Sequence, residues 1–167
     1  MPSMVVRMSI RLGDWVNRLL PFRRPWVSVA PEVEDLLQAA RKSRNRFILL
    51  QADGNRFVQA RVSPNSGRVH VECVGRENTL AVMTDEDEAA LLAMGYQPPS
   101  MLPCGYTNYA AHVAGIEEAA EVIRGTMTNI LRVGPSERIA NTVHTGIFWG
   151  RLCVDDDGST SLKVEGA

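Results

Sequence analysis

The amino-acid sequence predicts an α+β fold: a two-layer domain whose antiparallel β-meander is covered by helices on one face, followed by a C-terminal β-hairpin. Three observations predict it. Residues 47–74 carry short strand-like segments, two of them with two-residue alternation, joined by turns too short for a crossover. Apolar stripes at helical spacing stand on both sides of that region. Alternation returns near the end of the chain, on both sides of a turn signal.

The elements follow in order. Pro31 suits a first helical position, and Glu32, Glu34 and Asp35 favour the positive end of the helix dipole. Arg41 and Lys42 favour its negative end, and Val33, Leu36, Leu37 and Ala40 form the apolar stripe, so 31–43 reads as a helix. Phe47–Ala52 is a nearly apolar strand, and Asp53-Gly54-Asn55 is a tight turn. Arg56–Val62 and Arg68–Val74 are the next strands, joined by Ser63-Pro64-Asn65-Ser66-Gly67. Val58, Ala60, Val62, Val69, Val71 and Cys73 are expected on the buried face. Phe57, Gln59, Arg61, Arg68, His70 and Glu72 are expected on the opposite, polar face.

Thr84 caps a helix over 85–94, with acids in its first turn and Gly95 at its stop. An irregular corner follows at Tyr96, Pro98 and Pro99, and then a short helix is expected over 107–114. Ile116–Arg132 is the strongest helical pattern; Gly125 inside it predicts close packing against a neighbour. Thr145–Val154 and Thr160–Glu165 form the terminal hairpin around Asp155–Ser159. The aspartates of that turn lack the alternating spacing of an EF-hand loop.

Residues 8–20 carry Met8, Leu12, Trp15, Val16 and Leu19 at helical spacing, with Arg7, Arg11 and Arg18 opposite. This segment is expected to pack on its own domain or on a second copy rather than on a membrane surface. Pro21, Pro25 and Pro31 make 21–30 a linker. The expected organisation is therefore a basic segment and linker over 1–30, an α+β domain over 31–134 and a hairpin extension over 135–167.

Composition narrows the function. With 45% hydrophobic and 22% charged residues the chain is an ordinary globular one, and no apolar run reaches transmembrane length. A net charge of −1 argues against a general nucleic-acid binder. The charge is unevenly spread: residues 1–76 hold 13 Arg/Lys against 6 Asp/Glu, whereas 77–167 hold 5 against 13. Cys73, Cys104 and Cys153 are odd in number and widely spaced, which reads as free thiols in a reducing cytoplasm. His70, His112 and His144 stand in no metal-ligand spacing, and no nucleotide-binding, zinc-protease or nucleophile-elbow motif occurs. No catalytic residue, metal or cofactor is expected, and the chain is read as a non-enzyme.

The order of elements and several residues resemble one bacterial family. Phe57-Val58-Gln59 is similar to an aromatic-x-Gln strand, and Val71-Glu72 to a V-E strand, here followed by Cys73-Val74. Leu91, Gly95, Tyr96 and Pro99 match an L-x-x-x-G-W-x-x-P corner with Tyr96 in place of Trp. Asn108-Tyr109, Ala119-Ala120 and Leu131 fit the remaining positions. The pattern resembles the TY-Chap superfamily, which joins type III secretion chaperones such as CesT with the YbjN proteins. The resemblance implies a non-enzymatic domain holding an extended segment of a client protein or peptide, often as a homodimer. On the strand phases, Phe57, Gln59, Arg61, Arg68, His70 and Glu72 would contact the client; equally, they would be the solvated side of a two-layer fold. A second function class stays open: a regulatory or neutralising module that binds a folded partner through its charged surfaces.

Overall fold

A computed structural model describes residues 23–42, 47–79, 83–103, 105–143, 150–154 and 160–164. The helix expected over 8–20 lies outside them. Strands β1 (Arg23–Pro25), β2 (Phe47–Ala52), β3 (Arg56–Val62), β4 (Val69–Cys73), β5 (Tyr109–Val113) and β6 (Arg138–Val143) form one antiparallel sheet in the order β1-β6-β2-β3-β4-β5. Strands β7 (Gly150–Val154) and β8 (Thr160–Val164) pair antiparallel as the expected hairpin.

The meander forms for the reason its alternation gives. Val58, Ala60, Val62, Val69, Val71 and Cys73 are all buried in the main core, together with Ile48, Leu50 and Ala52. The β2–β3 turn closes through Gly54 and Asn55, both left-handed at φ 71° and 54°, a conformation that glycine and asparagine tolerate best. Helix α1 (Val33–Lys42) buries Val33, Leu37 and Ala40, and helix α3 (Ile116–Gly125) buries Ile116, Ala119, Ala120 and Ile123. The two pack side by side on the same sheet face.

Helix α2 (Asp85–Ala93) starts at a capping box: Thr84 Oγ1 accepts from the Asp87 N–H at 3.2 Å, and the Asp87 carboxylate accepts from the Thr84 N–H at 2.8 Å. Asp87 also accepts from Arg132 at 2.9 Å, tying the start of α2 to the segment after α3.

Three stretches differ from expectation. Residues 23–30, expected as a linker, give β1, a helical turn at Trp26–Val29 and the start of a 3₁₀ turn at Ala30–Glu32 that leads into α1. The prolines fit there because Pro25 lies on an edge strand and Pro31 in the first turn of its helix. Residues 107–114 are not a helix but contain β5, whose Tyr109, Ala111 and Val113 face the core while His112 is exposed. That two-residue period, rather than any helical stripe, decides the element. Finally, the long helix ends as a π-helical turn over Thr126–Ile130. There Thr126 Oγ1 donates to Val122 O at 2.7 Å and also pairs with Tyr96 Oη at 3.0 Å, so the buried phenol that stands in the Trp position is satisfied. Gly125 packs as expected, since a Cβ there would lie 3.2 Å from Met94 Cε.

The sheet takes strands from outside 31–134: β1 precedes that range and β6 follows it, inserted between β1 and β2.

Candidate functional site

The register places the predicted residues on the face away from α1 and α3. Cross-strand pairing aligns Phe47, Arg61, His70 and His112 in one row, and Leu49, Gln59, Glu72 and Ala110 in the next. Phe57 lies one row further, opposite Gln51, half-buried against the core margin. Arg68 precedes β4 and is exposed. The structure thus brings Gln59, Arg61, His70 and Glu72 together, with Phe57 and Arg68 at opposite ends of the patch.

The patch is not uniformly solvated. Gln59 and Glu72 are each only 8% exposed, which corrects the expectation that they are open surface residues. They form a polar network instead. Gln59 Nε2 donates to Glu72 Oε2 at 2.6 Å, Asn108 Nδ2 donates to the same oxygen at 3.3 Å, and His70 Nε2 pairs with Glu72 Oε1 at 2.9 Å. Burial works to raise the Glu72 carboxyl, but His70, then Gln59 and Asn108, together outweigh it and hold the group below the usual carboxylate range. Among the described residues, Gln51 Oε1 and Gln59 Oε1 are buried side-chain acceptors without a hydrogen-bond partner.

His112 was not foreseen as part of this face. Its ring lies 4.7 Å from that of His70, centroid to centroid, and Tyr106 meets His70 edge-on at 6.4 Å. The alternation of Tyr109, Ala111 and Val113 is the sequence signal that places it. A cavity of about 260 Å³ opens at this end of the sheet, between Arg61, Ser63, Pro64, Arg68, His70 and His112.

Strand β5 is a sheet edge, and half of it is closed. Gln97 exchanges two backbone hydrogen bonds with Ala110, at 2.7 and 3.1 Å. Ala110 therefore directs its N–H and C=O away from β4, and by the alternation of an antiparallel ladder His112 does the same.

Cys73 is fully buried, and burial pushes its thiol well above the ordinary range. We expect Cys73 to resist iodoacetamide in the folded protein and to label at once in denaturant; peptide mapping by mass spectrometry reads this residue alone. Fast native labelling would show that β4 opens. Among the described residues no three His, Cys, Asp or Glu side chains gather as metal ligands, and no helix is long and apolar enough to cross a membrane.

An antiparallel sheet backed by helices, with a polar face and a half-open edge, is an architecture that can accept an added strand by main-chain pairing. The comparisons give the family. A family model described as T3SS (YopN, CesT) and YbjN peptide-binding chaperone 3 matches residues 22–140, and the chain belongs to that family. The match takes in β1 and reaches into β6. Comparison with curated proteins gives no match, and neither does comparison with solved structures.

Proposed function

We propose that this peptide-binding chaperone domain holds an extended segment of a client protein along the outer edge of β5, without chemical turnover. One observation carries the reading: the outward N–H and C=O of His112 lie on an edge that Gln97 closes only at Ala110. An unpaired strand edge is a template for another strand. The adjoining face supplies Arg61, Arg68 and His70 for side-chain contact, while Gln59 and Glu72 act beneath it as the network that holds His70. Phe57 stands at the far end of the face and contributes apolar contact to longer segments.

The test separates edge pairing from face contact. His112→Pro removes the outward N–H without removing a bond to β4, and proline is tolerated on an edge strand. Client fragments are taken as overlapping peptides of the protein that co-purifies with the chain, and their binding is measured by fluorescence anisotropy. Relative to His112→Ala, which loses the same imidazole and keeps the outward N–H, His112→Pro should weaken the best fragment about fivefold, the worth of one main-chain hydrogen bond, with little change in the unfolding midpoint. If no fragment binds and only the intact, folded partner does, the chain is a module for folded partners instead.

A further inference from the structure

We propose that the cavity between Arg61, Arg68, His70 and His112 is a carboxylate site that selects acidic client segments. The inference rests on the peptide-holding reading above and adds the chemistry of the peptide.

The geometry is that of an anion pocket. Arg61, His70 and His112 come from three adjacent strands and occupy one cross-strand row, and Arg68 precedes His70 by two residues. All four line the same cavity, with Ser63 and Pro64 closing one side. The charge is uncompensated. Arg23, Arg24, Arg56, Arg76, Arg124 and Arg132 each pair with a carboxylate, and Arg41 and Arg138 donate to backbone carbonyls. Arg61 and Arg68 have no such partner among the described residues. Among the described residues Glu72 is the acid that shares their sheet face, and its oxygens are engaged by His70, Gln59 and Asn108. Arg41, held on the Pro64 carbonyl at 3.3 Å, adds positive charge behind the turn. The crowding is felt at His112, whose protonation is disfavoured first by partial burial and then by His70 and Arg68. Two free guanidiniums in a concave site are suited to a planar carboxylate, which accepts from both nitrogens of a guanidinium at once.

The adjoining edge indicates what brings the carboxylate. A residue paired opposite His112 on an added strand projects its side chain onto the same face, about 5 Å from that of His112. A Glu or Asp there enters the row of His112, His70 and Arg61, and the next residue on that face lies beside Arg68 or beyond the sheet. The pocket therefore reads acidic residues at alternate positions of an extended segment.

The test uses the full chain and two fluorescein-labelled peptides of equal length. One alternates Glu or Asp with Val and Thr; its twin carries Gln and Asn in place of the acids. The acidic peptide should bind at least about tenfold more tightly, and raising the salt should erode the difference. The double variant Arg61→Gln, Arg68→Gln should abolish the preference while the circular dichroism spectrum and unfolding midpoint stay as in the parent. Inorganic pyrophosphate should compete only weakly. Equal affinity for both peptides overturns the acidic preference and leaves the chaperone reading standing. A preference that survives the double variant overturns the pocket as its source. Tight pyrophosphate binding with no peptide binding shows a small-anion site and overturns the inference. If neither peptide and no client fragment binds, the chaperone reading itself falls.

Discussion

Gly75→Ala is expected to destabilise the fold by more than about 3 kcal/mol, because it drives a methyl group into a backbone carbonyl. A Cβ at this position would stand 1.8 Å from Thr107 O and 2.9 Å from the Thr107 carbonyl carbon. The three nearest atoms are all backbone, so no side chain can relieve the clash by rotating aside. Either β4 shifts, taking Cys73 and Val74 out of the core, or the segment before β5 moves off. The second route has its own cost. Gly75 N–H donates to Asn108 Oδ1 at 3.1 Å, and Asn108 in turn donates to Glu72. Moving residues 105–108 thus breaks both bonds and frees Tyr106 from His70. Urea unfolding monitored by circular dichroism measures the effect. A loss below about 1 kcal/mol would show that the loop yields, and that its contact with Gly75 does little to hold the binding face.

This contact illustrates which parts of the chain were legible in its sequence. Helix α1, strands β2–β4, helix α2 and the terminal hairpin each declare themselves within a dozen residues, through a periodic stripe, a turn signal or a cap. Strand β5 does not, because Tyr109-Ala-Ala-His-Val is short, rich in alanine and followed at once by a strong helix. Its identity comes from pairing with β4, more than thirty residues earlier. The face of the site followed from strand phase, and Val69, Val71 and Cys73 do point to the helices while His70 points away. What phase alone leaves out is depth. Gln59 and Glu72 were read as surface residues because alternation separates two faces without saying what lies over each. Asn108, from the segment before β5, reaches Glu72, and His112 joins His70 only once β5 is a strand. The unpaired Arg61 and Arg68 were visible as part of a basic half of the chain, but not as neighbours without an acid between them.

Glu72→Ala should cost about 3 kcal/mol of stability, which is large for a residue that the alternation pattern places on the polar side. The carboxylate is the common acceptor for Gln59, Asn108 and His70. Removing it leaves the amide of buried Gln59, whose own Oε1 already lacks a partner, with no acceptor. Glu72→Gln keeps the shape and should cost less, although its new NH₂ group meets donors on both sides. The pH dependence separates these effects from simple loss of volume. The folded carboxyl is held below its ordinary range, so the unfolded chain binds a proton more readily than the native one. The stabilisation is therefore fully present above the unfolded value, near about pH 4.3, and is lost as pH falls through the lower folded value. Parent stability should fall more steeply than that of Glu72→Gln over this acid range. Parallel curves throughout would mean that Glu72 carries no net charge stabilisation, and that His70 and Gln59 hold their places by packing alone.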